Sequence, residues 1–400
     1  MYFPLKFISM KFVISRRQKK SKENQHYVKS NTKVDILDGQ FGGDIRNIEE
    51  MEHKQCLPKE HPMAGDCVFF DASNANGWWL TIGMAQRSNN IINLFFILKV
   101  PGLGTFVNEE LPHTSNVKSI QSETEYLTES GFRIYCIEAM KKWHISFNGF
   151  LVPAQFCQPN LKRIGSEIPP QEAMQKVASS FELIWENHGE YFDFDVECSP
   201  EAIARSIATE PWSKELFEKL KATHQTHYEQ FGKLKGVFNV GEFRTPTEIV
   251  MTSMRDHTIT KYRNWAQIRR YIMIIYHLED GTCIHTSVIS MPETVFTQLQ
   301  FGYVITPELK KLPVDYIDLQ LPYLGENKKF PKKFHYSFRA GNMNYDVNVE
   351  SKDMVESKDM VNFKMGETQA CYIEENMCEF VANGKKGYGF AEIEYRIEPY

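Results

Sequence analysis

Residues 253–290 read SMRDHTITKYRNWAQIRRYIMIIYHLEDGTCIHTSVIS, the stretch of this 400-residue chain densest in groups able to move a proton or grip a polar ligand. Arg255, Asp256, His257, Arg263 and Trp265 stand there just ahead of a hairpin signal. An imidazole near a carboxylate can do acid–base chemistry, a guanidinium can hold a carboxylate through two parallel bonds, and an indole can wall an apolar ligand. Parity limits these readings. On a strand through Met254–His257 alternate side chains leave opposite faces, so Arg255 and His257 share one side while Met254 and Asp256 share the other. The adjacent Asp–His pair is therefore no dyad by itself, and His257 would need a carboxylate from another strand. Asp256 gripping Arg263 would first of all lock this corner of the fold.

Other groups carry weaker signals. His224 and His227 are spaced HxxH on an expected helix, but with no third ligand in view they read as a partly exposed helix end, and no metal or cofactor is expected. Asp193, Asp195 and Glu197 alternate with Phe192, Phe194 and Val196, the pattern of a strand with one solvated face. No G-x-S-x-G elbow, phosphate-binding G-x-x-x-x-G-K-[ST] loop or H-E-x-x-H is present, and the GLG at 102–104 lacks the third glycine of a dinucleotide site. The eight cysteines contain no CxxC, and no Asn-x-Ser/Thr acceptor occurs, so a reduced, cytoplasmic chain is expected.

These residues need a scaffold, and the chain reads as strands. Aromatic residues make up 13% of it, and flat side chains cover pleated surfaces well. DCVFFDAS, GWWLTIGMAQR and IINLFFILKVPG are short apolar runs parted by Asn- and Gly-rich turns, and FRIYCIEA and KWHISFNGFLV continue the series. Ser199-Pro200-Glu201 has the look of a helix start, and Trp212, Leu216 and Leu220 share one helical face. Strands then resume to the end. The division expected is a flexible arm over 1–56, a first β domain over 57–198, a helical connector over 199–228 and a second β domain over 229–400. If Asp280-Gly281 makes a two-residue turn, Tyr276 opposes His285 on one face of the hairpin. VESKDM occurs at 349–354 and again at 355–360, which reads as a loop duplication without function. A net charge of −5 gives no field to gather nucleic acid. At the start, Phe3, Leu5, Phe7 and Ile8 precede Arg16, Arg17, Lys19 and Lys20, which reads either as a loose tail or as a peripheral membrane anchor.

HPMAGDCVFFDASNANGWWLTIGMAQR, WHISFNGFLV, RDHTITKYRNW and NGKKGYGFAEIEYR together resemble an animal family of unassigned activity related to the carotenoid 1,2-hydratase (hydroxyneurosporene synthase) group and the fungal survival-factor proteins. The resemblance runs over roughly residues 60–398 and implies two tandem lipocalin-like antiparallel β-barrels with a shared taste for apolar ligands. It carries Arg255, Asp256, His257, Arg263 and Trp265 onto an Arg-Asp-His-Ser…Arg-x-Trp signature, with ITKY where relatives have a tighter glycine turn. It also carries Gly387, Gly389 and Glu392 onto a closing segment. The reading is thus an all-β protein with a minor helical connector, binding a lipid or other hydrophobic small molecule in or between barrels. Its expected ligand-binding residues are Arg255, His257, Arg263, Trp265, Tyr276, His285 and Glu392. The rival is a hydratase- or isomerase-like enzyme on an isoprenoid-like or polyketide-like substrate, with His257 or Asp256 as general acid.

Overall fold

Apolar runs too short to span a helix bundle, broken every few residues by turn formers, can satisfy their backbones only by pairing edge to edge, and closing the sheet removes its edges. The computed structural model describes residues 2–24, 48–157, 171–292, 295–324, 330–351, 361–365 and 371–396. The helices are α1 (Phe3–Asn24), α2 (Ile48–Glu52), α3 (Phe194–Glu197), α4 (Pro200–Thr209) and α5 (Lys214–Ala222). The first strands are β1 (Gly65–Ser73), β2 (Trp79–Arg87), β3 (Ile91–Val100), β4 (Gly104–Asn108), β5 (Asn116–Ile120), β6 (Glu125–Thr128), β7 (Phe132–Glu138), β8 (Lys142–Pro153), β9 (Val177–Asn187), β10 (Phe192–Asp193), β11 (Gln225–Val240), β12 (Phe243–Arg244) and β13 (Ile249–Thr260). They are followed by β14 (Arg270–Leu278), β15 (Cys283–Met291), β16 (Phe296–Ile305), β17 (Lys311–Asp318), β18 (Lys333–Ala340), β19 (Met343–Ser351), β20 (Val361–Met365), β21 (Cys371–Ala382) and β22 (Lys385–Arg396).

Two rings of eight antiparallel strands result. In the first, β9 pairs with both β8 and β11 and so closes the path β11-β13-β1-β2-β3-β4-β8. In the second, β19 pairs with β21 and closes β18-β17-β16-β15-β14-β22. The fold is thus the expected all-β pair of tandem barrels. Each interior is filled, the first by Phe70, Phe96, Phe132, Trp143, Phe181 and Trp185, the second by Tyr276, Val304, Phe338, Tyr345 and Phe380. A third apolar cluster, including Phe69, Phe95, Phe231, Met254, Tyr303 and Phe390, lies between the barrels and joins them.

Four local expectations are corrected. The sheets change over between Thr260 and Arg270, not at residue 229, because β11 and β13 hydrogen-bond to one another and β13 to β1; the chain returns to finish its first barrel after the helices. Among its described residues the arm over 1–56 contains two helices, and α1 packs against α4 with Ile14 buried and Gln18 Nε2 donating to the Cys198 carbonyl at 2.8 Å. Residues 194–197 are helical: the Asp193 carboxylate accepts from the Asp195 amide at 2.9 Å and caps α3, so the alternation there does not make a strand. The hairpin at 270–291 turns through three residues, with Gly281 at φ +90° and the Leu278 amide donating to the Thr282 carbonyl at 2.8 Å. Its register therefore sets Ile275, not Tyr276, opposite His285. The one-residue slip sends the two side chains to opposite faces. Ser199 caps α4 as expected, its hydroxyl accepting from the Glu201 amide at 3.2 Å. The first VESKDM copy begins within β19, and its last three residues and the whole second copy lie outside the described residues.

Candidate functional site

Strand alternation on β11 and β13 sorts the chemistry-bearing residues into two sets. Tyr228, Gln230, Arg255 and His257 turn into the first barrel, whereas His227, Glu229, Asp256 and Thr258 turn outward, toward the second barrel.

The inward set is closed. The Arg255 guanidinium is 1% exposed, donates to Glu52 Oε2 at 2.9 Å and to the Gln230 side-chain oxygen, and lies over the rings of Trp143 and Trp185. Glu52 comes from α2, and its carboxylate also accepts from Trp143 Nε1 at 3.0 Å, the Met140 amide at 2.8 Å and the Tyr228 hydroxyl at 2.6 Å. Burial pushes this carboxyl up, but the charges of Arg255 and His257 and these hydrogen bonds outweigh it and hold it below its ordinary value. His257 is wholly buried, with Nε2 2.6 Å from Asp66 Oδ1 and Nδ1 2.7 Å from the Tyr228 hydroxyl. It has the second-strand carboxylate that parity demanded, but no ligand can reach it where it lies. Arg255 and His257 were expected on a ligand and instead brace the barrel.

The outward set opens on a cavity of about 310 Å³ at the seam of the two barrels. Much of its wall is greasy: Phe69 and Phe95 from the first barrel, Met273, Ile289, Leu299 and Phe301 from the second, and Phe194, Ile203 and Leu220 from the helices. A chain of polar groups crosses the seam on one side. Glu229 accepts from His227 Nε2 at 2.9 Å and from His285 Nδ1 at 2.6 Å. The remaining nitrogens reach Thr258 Oγ1 at 2.7 Å and Ser287 Oγ at 2.6 Å. Burial would raise the Glu229 carboxyl, but the two histidines, by charge and by hydrogen bond, hold it at about 2. For His227 the balance is similar: burial disfavours the imidazolium, and Glu229 and Asp256 outweigh it, so its pKa lies above the ordinary histidine value. Asp256 is the direct cross-strand partner of Glu229. Burial pushes its carboxyl up to about 6, Glu229 adding to the effect and His227 and Arg263 opposing it. The surface Asp256 keeps open looks into the cavity.

Ser287, His285 and Glu229 stand in the order of a hydrolytic triad, but Ser287 lies mid-strand, paired on both sides, where no exposed turn frees backbone N–H groups for an oxyanion. The arrangement can relay a proton along its hydrogen bonds but offers no placed nucleophile. Opposite it, Glu392 faces its cross-strand neighbour Glu375 and accepts a hydrogen bond from the Tyr271 hydroxyl. Burial and then the charge of Glu392 hold the Glu375 carboxyl well above the usual carboxylate range.

Of the expected site residues, the cavity gathers Asp256, Arg263, Trp265, His285 and Glu392. The Arg263 guanidinium lies 4.7 Å over the Trp265 ring. Tyr276 does not belong with them; it stacks on Phe380 inside the second barrel, where the hairpin slip placed it. The expected HxxH pair is split. His224 follows α5 and binds Asp195 at 2.7 Å, and His227 lies within β11 and binds Glu229. The closing glycines have a steric reason: a Cβ on Gly389 would stand 2.0 Å from the Ile275 carbonyl oxygen, so β22 could not lie so close to β14. Glu52, Glu229 and Ser287 were missed. The alternation that marks β11 could have exposed Glu229; nothing local marks Glu52.

Comparison with known proteins bears on the fold. A candidate AttH from Nitrosomonas europaea superposes with a TM-score of 0.53 at 8% identity, covering 91% of this chain and 100% of that one. Kievitone hydratase from Nectria haematococca gives 0.43 at 10% identity over 86% and 96% of the two chains. CghA gives 0.44 at 8% identity over 84% and 88%. At such identities a likeness speaks for architecture alone, and of these three the first is near enough to carry it. No curated protein matches the chain, and nothing in these likenesses bears on an animal origin. A family model described as a family of unknown function (DUF8627) matches residues 2–395.

Proposed function

The chain belongs to DUF8627, a family of unknown function, and from that premise and the seam between its barrels we propose that it binds a largely apolar small molecule bearing one polar end. The observation that carries this reading is the cavity of about 310 Å³, greasy over much of its wall and polar on one side, between two barrels whose own interiors are filled. Its size falls at the small end of ligand pockets. Removing roughly 200 Å² of apolar ligand surface from water would contribute ~5 kcal/mol before ordering costs. Phe69, Phe95, Leu299 and Phe301 take the apolar body, and Arg263, with Asp256, orients the polar end. Native mass spectrometry of the purified chain, followed by organic extraction, tests this. A stoichiometric apolar adduct, absent from Leu299→Trp, is expected. Bare protein from several expression hosts, with no saturable uptake of a hydrophobic dye, would overturn it.

A second reading has its own observation. An acid whose pKa is raised to about 6 and which faces an apolar cavity is equipped to donate a proton, so Asp256 would serve as general acid on an isoprenoid-like or polyketide-like alkene. Its proton adds to one alkene carbon, water adds to the cation left at the other, and the proton released from that water returns to the Asp256 carboxylate, which restores the acid. The expected consequence is that Asp256→Asn keeps the ligand and loses turnover. Equal turnover by the two proteins in deuterated water, read by product mass, would end the reading. His257 has no part in it.

A further inference from the structure

We propose that α1 is a membrane-docking surface that lays its outward face on bilayers carrying anionic headgroups. The inward face of this helix is already committed to the protein. Lys6 Nζ donates to the Glu210 carbonyl at 2.6 Å, Gln18 to the Cys198 carbonyl at 2.8 Å, and Ile14 is buried. Lys11 pairs with Glu201 of α4 at 3.1 Å along one flank. So fixed, the helix cannot roll to hide what it turns outward. Leu5, Ile8 and Phe12 lie on that outward face at helical spacing, 58%, 63% and 64% exposed, with Tyr2 at 74%. Arg16 continues the same stripe, and Arg17 and Lys20 flank it, all three exposed.

A contiguous apolar patch on a fixed helix marks a contact surface. The charge decides which contact. Residues 1–22 contain seven lysines and arginines and no aspartate or glutamate. A second copy of the same face would set like charges against each other, whereas an anionic bilayer attracts the basic half and accepts the apolar half. The helix spans ~33 Å at 1.5 Å per residue, long enough to lie along the interface. Among the described residues no helix is long and apolar enough to cross a membrane. On its far side α1 packs on α4, whose Ile203 lines the cavity, so docking would bring the seam close to the lipid. The proposal does not require the cavity to be occupied.

Flotation of the purified full chain with phosphatidylcholine vesicles, with and without phosphatidylserine, tests it. The chain is expected to float with the mixed vesicles and to be released by high salt. Arg16→Gln with Arg17→Gln should lower partitioning about 30-fold. Ile8→Asp with Phe12→Asp should abolish it while thermal unfolding and circular dichroism stay as in the wild type, since both side chains point to solvent. Wild-type protein that stays unbound at low salt would overturn the proposal, as would an Ile8→Asp, Phe12→Asp protein that floats like the wild type. Concentration-dependent self-association that this double variant abolishes, without vesicle binding, would assign the patch to a second copy instead.

Discussion

The two faces of β13 carry neighbouring residues of one motif to opposite fates. Arg255 and His257, turned inward, meet Glu52, Gln230, Asp66 and Tyr228; Asp256, between them in sequence, turns outward to a cavity with its pKa raised to about 6. Buried polar groups held by several partners fix a structure in one arrangement, whereas a carboxyl whose pKa burial has raised beside an apolar cavity is a candidate for chemistry. The showier half of the motif is enclosed in the barrel, and the plain aspartate is the group left facing the cavity.

Breaking the inward face should cost the most. Glu52→Ala leaves the Arg255 charge buried and unpaired and should lower unfolding free energy by about 3–5 kcal/mol in denaturant titrations. Ligand bound per folded molecule should not change; a specific loss of binding would collapse the distinction between the faces. The outward face gives the next largest effect. Glu229→Gln removes an ion that two histidines hold, at a cost of roughly 2–3 kcal/mol. Because the folded pKa of Glu229 is depressed to about 2, its contribution is present above the ordinary carboxylate value and is lost as pH falls through that window toward 2. Comparison of wild-type and Glu229→Gln stability across acid pH should therefore converge at the acid end.

Asp256 has the opposite sign. Its folded pKa is raised, so between the ordinary carboxylate value and about 6 the folded state holds a proton that the unfolded chain has released, and stability falls as pH rises through that range. Asp256→Asn should flatten this slope and be no less stable than the wild type at neutral pH. An unchanged slope would mean the carboxyl is not burdened by burial. The smallest effect sharpens the comparison at its edge: Tyr276→Phe, inside the second barrel, should cost ~1 kcal/mol or less and leave ligand uptake untouched. Altered uptake would return Tyr276 to the cavity wall.

Much of this is legible in the sequence. Parity alone separated Arg255 and His257 from Asp256, because alternation along a strand is a local property of the backbone. Ser199-Pro200 announced α4, and the turn-broken apolar runs announced β structure. The site was legible only in part. Asp256, Arg263, Trp265, His285 and Glu392 were named and do line one cavity, but Tyr276 was misplaced by a single residue of register that hinged on whether Gly281 closed a two- or three-residue loop. Phe194 through Glu197 imitated a strand because four residues of alternation also fit a capped helical turn.

The strand-rich character of the chain and the faces of β13 follow from rules that reach a few residues along the chain, and so the amino-acid order by itself determined them. Which strands close which barrel was decided elsewhere. β11 and β13 return across the helices to finish the first barrel, α2 delivers Glu52 beneath Arg255 from 203 residues away, and β15 brings His285 to Glu229 from 56 residues away. Such partners are chosen by the closing of sheets and the burial of charge, which act between segments remote in sequence and leave no local trace. The cavity is of the same kind, since it belongs to neither barrel and exists only where the two are pressed together.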